Sequence, residues 1–123
     1  MVLRTTCLVL GRGIEMSRTA VRQVVSSEVA KKQGSTPTVD ENVYTVPAGK
    51  TLRIRSVSAG HEYSTAEVRT EFLADGTLFA VVYGMSQLAV DLDVAEALDV
   101  TIRRVNGDPG ALHMTAWWEG VLL

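Results

Sequence analysis

From Thr38 onward, apolar side chains recur at every second position in short runs, and each run ends in a cluster of turn-forming residues. Successive side chains of a strand point to opposite faces, so this period commits the segment to β-structure with one face buried. The residue choices agree. The chain has 33 β-branched residues (18 Val, 12 Thr and 3 Ile) in 123, against three lysines, and a branched Cβ loses rotamer freedom in a helix but packs well on a pleated surface.

Val43 and Thr45 alternate with Tyr44 and Val46 up to Pro47-Ala48-Gly49-Lys50, where proline fixes φ and glycine accepts positive φ. Leu52 and Ile54 then alternate with Arg53 and Arg55. The clearest hairpin spans residues 66–83. Ala66, Val68, Thr70 and Phe72 share a face opposite Glu67, Arg69 and Glu71, Ala74-Asp75-Gly76 turns the chain, and residues 78–83 return as an apolar run expected to be more fully buried. Leu88, Val90 and Leu92 alternate with Asp91 and Asp93, and Leu98, Val100 and Ile102 alternate with Asp99, Thr101 and Arg103. After the dense turn signal Asn106-Gly107-Asp108-Pro109-Gly110, the residues Leu112, Met114, Ala116 and Trp118 share a face. Six or seven short strands at roughly ten-residue spacing predict an all-β antiparallel sandwich or barrel.

The first 36 residues follow another pattern. Val21, Val24, Val25 and Val29 fit a helical stripe, while Val21, Gln23 and Val25 fit a strand. The segment is therefore read as an extended or short-helical N-terminal arm, and Lys31-Lys32-Gln33-Gly34-Ser35-Thr36-Pro37 as its linker. The division is 1–36 for arm and linker and 37–123 for the sandwich. Charge divides at the same place: the arm holds six basic and two acidic residues, the body six basic and twelve acidic. The net charge of −2 is thus a cancellation between a basic arm and an acidic body. It argues against a chain that coats nucleic acid or an anionic membrane. A single cysteine, Cys7, leaves no internal disulfide. No apolar run approaches the roughly 20 residues of a membrane-spanning helix, and the run at residues 7–10 is too short for a signal-peptide core, so a soluble, unprocessed protein is expected.

Motifs for chemistry are sparse. Gly49-Lys50-Thr51 lacks the upstream glycine that a phosphate-binding loop needs, and Gly11-Arg12-Gly13 is too short for a dinucleotide site. His61 and His113 have no second histidine nearby, so no metal site and no cofactor are expected. Ser56, Ser58 and Ser64 stand in no nucleophile elbow. Asp91 and Asp93 suit a solvated strand better than a Ca²⁺ site. Trp117 and Trp118 are adjacent, so one faces a core and the other faces out, where Trp favours contact with a partner.

The stretch Val43-Tyr44-Thr45-Val46-Pro47-Ala48-Gly49-Lys50-Thr51-Leu52-Arg53-Ile54, the Ala74-Asp75-Gly76-Thr77 hairpin, and the final strands through Val100-Thr101-Ile102-Arg103-Arg104-Val105-Asn106 and Trp118-Glu119-Gly120 resemble small jelly-roll virion proteins of tailed bacteriophages. These are capsid decoration or cement proteins and tail-fibre domains. The resemblance covers about residues 38–123 and implies a non-enzymatic structural protein on the capsid surface, made in the host cytoplasm, trimeric, and bound to the major capsid protein or another virion protein. It supplies no catalytic residues. Independently, a basic arm and an acidic body are complementary between neighbouring copies. The residues expected to touch a partner are Arg4, Arg12, Arg18, Arg22, Val21, Val24, Val25 and Trp117. The alternative expectation is a receptor- or carbohydrate-binding module, with Trp117 or Trp118, Tyr63 or Tyr83, and Asp91, Asp93 or Asp108 around a glycan.

Overall fold

The computed structural model describes residues 19–61 and 68–123. Eight strands run β1 (Thr19–Val29), β2 (Thr38–Thr45), β3 (Leu52–His61), β4 (Val68–Ala74), β5 (Thr77–Tyr83), β6 (Ser86–Val94), β7 (Asp99–Asn106) and β8 (Leu112–Leu122). They form two antiparallel four-stranded sheets, in the orders β1-β8-β3-β6 and β2-β7-β4-β5. The expected β-sandwich is therefore what the chain forms, and its strand order is that of a jelly roll.

The pairing starts from one local turn. Asp75 and Gly76 both have positive φ, 51° and 77°, which is the two-residue turn whose twist matches that of the flanking strands. Folding outward from this tip, β4 pairs with β5, β3 with β6, β2 with β7 and β1 with β8. The chain is one long hairpin, nested four pairs deep. Rolling it up adds the remaining ladders, β3 with β8 and β4 with β7, and buries its apolar stripe between the two sheets.

The stripe is the one the sequence alternation marks. Leu52, Ile54, Val57, Phe72, Val100, Ile102, Ala116 and Trp118 all lie in the core at 0% exposure. Trp118 meets Tyr44 edge to face, with ring centroids 5.2 Å apart, and its indole N–H donates to Gln23 Oε1 at 2.6 Å, which satisfies the polar tip of a large buried ring. Gly120 stands opposite Ile54 where β3 bulges. A Cβ there would lie 2.3 Å from the Arg53 carbonyl oxygen, so any side chain would force β8 off β3.

The N-terminal segment resolves as strand. Val21, Gln23 and Val25 face inward on β1, which pairs with β8 along its whole length. Residues 19–29 therefore belong to the first sheet, and the hydrogen-bonded sandwich begins upstream of residue 37, where the sequence pattern placed its boundary. Valine's preference for pleated surfaces decided between two patterns that the spacing fitted equally. Arg104 fastens this strand from below. Its guanidinium, 1% exposed as a residue, donates to the Ser27 carbonyl at 3.0 Å, the Ser27 hydroxyl at 3.0 Å, the Met114 carbonyl at 2.6 Å and the Asp40 carboxylate at 2.5 Å. It links β7 to β1, β8 and β2 at one end of the sandwich.

One expectation is corrected. Residues 78–83 were expected to be the more fully buried return strand, but β5 is the edge of the second sheet, with Leu78 47% and Tyr83 58% exposed. A continuous apolar run signals two covered faces, and here one of those faces is open.

Candidate functional site

The two sheets turn very different outer faces to solvent. On the first sheet, cross-strand neighbours form the outward rows Val24, Trp117, Ser58, Gln87 and Arg22, Glu119, Ser56, Ala89. The face is mostly polar and internally partnered. Arg22 lies 3.6 Å from Glu119, and Arg53 donates twice to Asp93, at 2.8 and 3.1 Å. That hydrogen bonding raises the Arg53 guanidinium's pKa and holds the Asp93 carboxyl below its ordinary range. Ser26 Oγ lies 2.8 Å from both His113 Nε2 and Thr115 Oγ1. Its apolar side chains include Trp117, half-buried, Val24, 50% exposed, and Met85 in the turn beside it, 77% exposed.

The second sheet's outer face has a charged centre and apolar flanks. Its middle row is Glu41, Arg103, Glu71 and Val81. Arg103 and Arg69 each donate from Nε to Glu71 at 2.7 Å, one to each carboxylate oxygen, and Arg103 also reaches Glu41 at 3.3 Å. Burial of Glu71 pushes its pKa up, but the hydrogen bonds from Arg69 and Arg103 outweigh it and hold the carboxyl below its usual range. Either side of this ladder is apolar. One flanking row is Val39, Val105, Arg69, Tyr83 and the other is Val43, Thr101, Leu73, Leu78. Val39 is 50%, Val43 55%, Leu78 47% and Tyr83 58% exposed, so four of the seven exposed large hydrophobic residues among those described lie on this one face.

The expected partner-contact residues divide accordingly. Val21 and Val25 point inward and pack against the core, so they hold β1 on the sandwich. Arg22, Val24 and Trp117 do reach the first sheet's outer face, while Arg4, Arg12 and Arg18 lie outside the described residues. Of the glycan constellation, Tyr63 lies outside the described residues, Trp118 is fully buried, and Tyr83 stands on the opposite sheet from Trp117. Asp93 is engaged by Arg53, and Asp108 Oδ2 accepts the Gly110 amide at 2.9 Å within its own turn. These residues do not converge. Among the described residues no group of three or more His, Cys, Asp or Glu side chains could hold a metal ion.

Val39, Val43, Leu78 and the Glu41-Arg103-Glu71-Arg69 ladder were missed by the sequence reading. The ladder draws on three strands whose acids and arginines each look like the solvated half of an alternating strand. The available signal was β5 itself, seven residues without a charge, which is unusual for an edge strand left open.

No protein-family model matches the chain, and no curated protein matches it. Among solved structures it is similar to part of dimeric latent PorU from Porphyromonas gingivalis, with a TM-score of 0.45 and 6% identity over 86% of this chain and 13% of that one. It is also similar to part of a Podospora anserina GH26-CBM35 β-(1,4)-mannanase, with a TM-score of 0.37 and 12% identity over 83% of this chain and 28% of that one. The chain thus spans less than a third of either matched chain.

Proposed function

We propose that this chain is a non-enzymatic virion structural protein, a capsid decoration or cement module, that assembles with sister copies and a capsid partner through the outer face of its second sheet. One observation carries the reading: Val39, Val43, Leu78 and Tyr83 are exposed together on one sheet face, flanking an ion-pair ladder whose charges are already satisfied. Exposed apolar side chains gathered on one face mark protein contacts, and a ladder that partners its own charges can be covered without leaving a bare ion.

The placement of the flanks suits a ring. Val39 and Val43 lie on the β2 edge, Leu78 and Tyr83 on the β5 edge. A contact between the β5 flank of one copy and the β2 flank of the next is heterologous, and such contacts form a ring when the rotation between copies closes and a filament when it does not. A trimer, which the resemblance to phage virion proteins implies, is such a ring. The test is mass spectrometry of density-purified phage particles from cells in which this chain is expressed during infection. Peptides of the chain present in stoichiometric amount, and lost with Tyr83→Glu, support the reading. Particles devoid of the chain contradict it.

A further inference from the structure

The first sheet's outer face holds a groove of about 280 Å³ between Trp117 on β8 and Met85 in the turn from β5 to β6, with Ser58 and Gly60 at its floor and Gln87 at its rim. Three features set it apart. Ser58 is 2% exposed and its hydroxyl has no hydrogen-bond partner. A buried hydroxyl of that kind calls for an explanation, and a ligand's polar group is one. Ser58 is the cross-strand neighbour of both Trp117 and Gln87, so its side chain shares their face. Gly60 leaves the floor low, and a Cβ there would stand 3.4 Å from Met85 Cγ, which places the methionine as a cover over it. Met85 is itself 77% exposed, and its unbranched side chain can swing aside at small cost.

The chemistry of the lining selects the ligand. No charged side chain lines the groove, and Arg22 and Glu119 in the adjoining row are engaged with each other, so the complementary ligand is neutral. One indole wall asks for an apolar face, because the negative face of the ring attracts the weakly positive hydrogens of C–H groups. Hydroxyl and carboxamide groups, which both donate and accept, ask for a partner that does the same. A pyranose combines a face of C–H bonds with a rim of hydroxyls. We propose that this groove is a binding site for a neutral sugar ring of a glycan, stacked on Trp117 and hydrogen-bonded to Ser58 and Gln87 once Met85 moves aside. The site lies on the opposite face from the proposed assembly surface, so both can be occupied in one particle.

Saturation-transfer NMR on the full chain, with the methyl pyranosides of glucose, galactose, mannose and N-acetylglucosamine as probes, tests this. Transfer to the ring C–H protons of at least one probe is expected, with binding reduced about tenfold or more in Trp117→Ala and kept in Trp117→Phe. Ser58→Ala supplies the second readout: it should weaken binding while leaving the thermal unfolding midpoint unchanged or higher, because an unsatisfied hydroxyl has been removed. Absence of transfer to all the probes, equal binding by Trp117→Ala or Ser58→Ala, or equal competition by cyclohexanol would each overturn the proposal. None of these variants touches the second sheet, so a change in assembly mass is not expected from any of them.

Discussion

The two outer faces are built from the same alternating strands and reach opposite solutions. On the first sheet, the Arg53–Asp93 and Arg22–Glu119 pairs stand well exposed, with each side chain 36% to 58% accessible, and water can replace either partner. On the second sheet, Glu71 is 8% exposed, held by two arginines and walled by apolar neighbours. Exposed ion pairs contribute little to stability, whereas a buried carboxylate depends on its partners. A strand pattern of alternating charge thus describes a solvated face in one sheet and the centre of a candidate interface in the other. What separates them is the company that neighbouring strands bring.

That contrast can be broken by substitution. The largest effect is expected from Leu78→Glu combined with Tyr83→Glu, which puts charge into an apolar flank. Buried interface anchors are commonly worth about 2 kcal/mol or more each, so assembly should weaken by over about a hundredfold with the fold intact by circular dichroism. Next is Glu71→Ala. It strands Arg69 and Arg103 around a part-buried site, and urea unfolding should show a loss of about 1 to 3 kcal/mol.

The pH dependence follows from the same comparison. The Glu71 carboxyl titrates below its ordinary value of 4.5 in the folded chain. Its contribution is therefore complete above that value and is lost as pH falls from there through the folded value. The Glu71→Gln variant should flatten that acid limb, as thermal melts below about pH 4.5 would register. His61 acts at higher pH. Burial lowers its pKa from 6.5, and neither ring nitrogen has a hydrogen-bond partner among the described residues. The folded state thus prefers the neutral ring. Stability is complete above 6.5 and falls as pH drops below it, because the unfolded chain takes up the proton first. A melting midpoint that declines between pH 7 and 5 in the natural chain, and declines less in His61→Phe, is expected. Smallest is Asp93→Ala on the first sheet, which should leave the unfolding midpoint unchanged within error; a clear drop there would erase the distinction between the faces.

Much of this fold is legible in the sequence because it rests on local rules. Asp75-Gly76 specifies the hairpin tip, Pro47 to Lys50 and Asn106 to Gly110 mark turns, and the period-two stripes through Leu52, Val100 and Met114 mark the core. Trp117 and Trp118 divide between outside and core as adjacency on a strand requires. Nonlocal features were not legible. Val21, Val24, Val25 and Val29 fit a helical stripe while Val21, Gln23 and Val25 fit a strand, and the pairing with β8 lies far away in sequence. Nothing within residues 78–83 says that β5 lies at an edge, since strand order is set by how the long hairpin rolls. The Ser58 groove has no motif at all: its hydroxyl, indole, glycine and methionine come from two strands and a turn.

The central claim is that the second sheet's outer face is covered in the working protein. Its most direct test is the mass of the full chain in solution, by light scattering coupled to size-exclusion chromatography over a concentration series. A trimer of the 13.3-kDa chain that falls to monomer with Leu78→Glu and Tyr83→Glu is the predicted result. A monomer at every concentration, or a trimer indifferent to both substitutions, would contradict it.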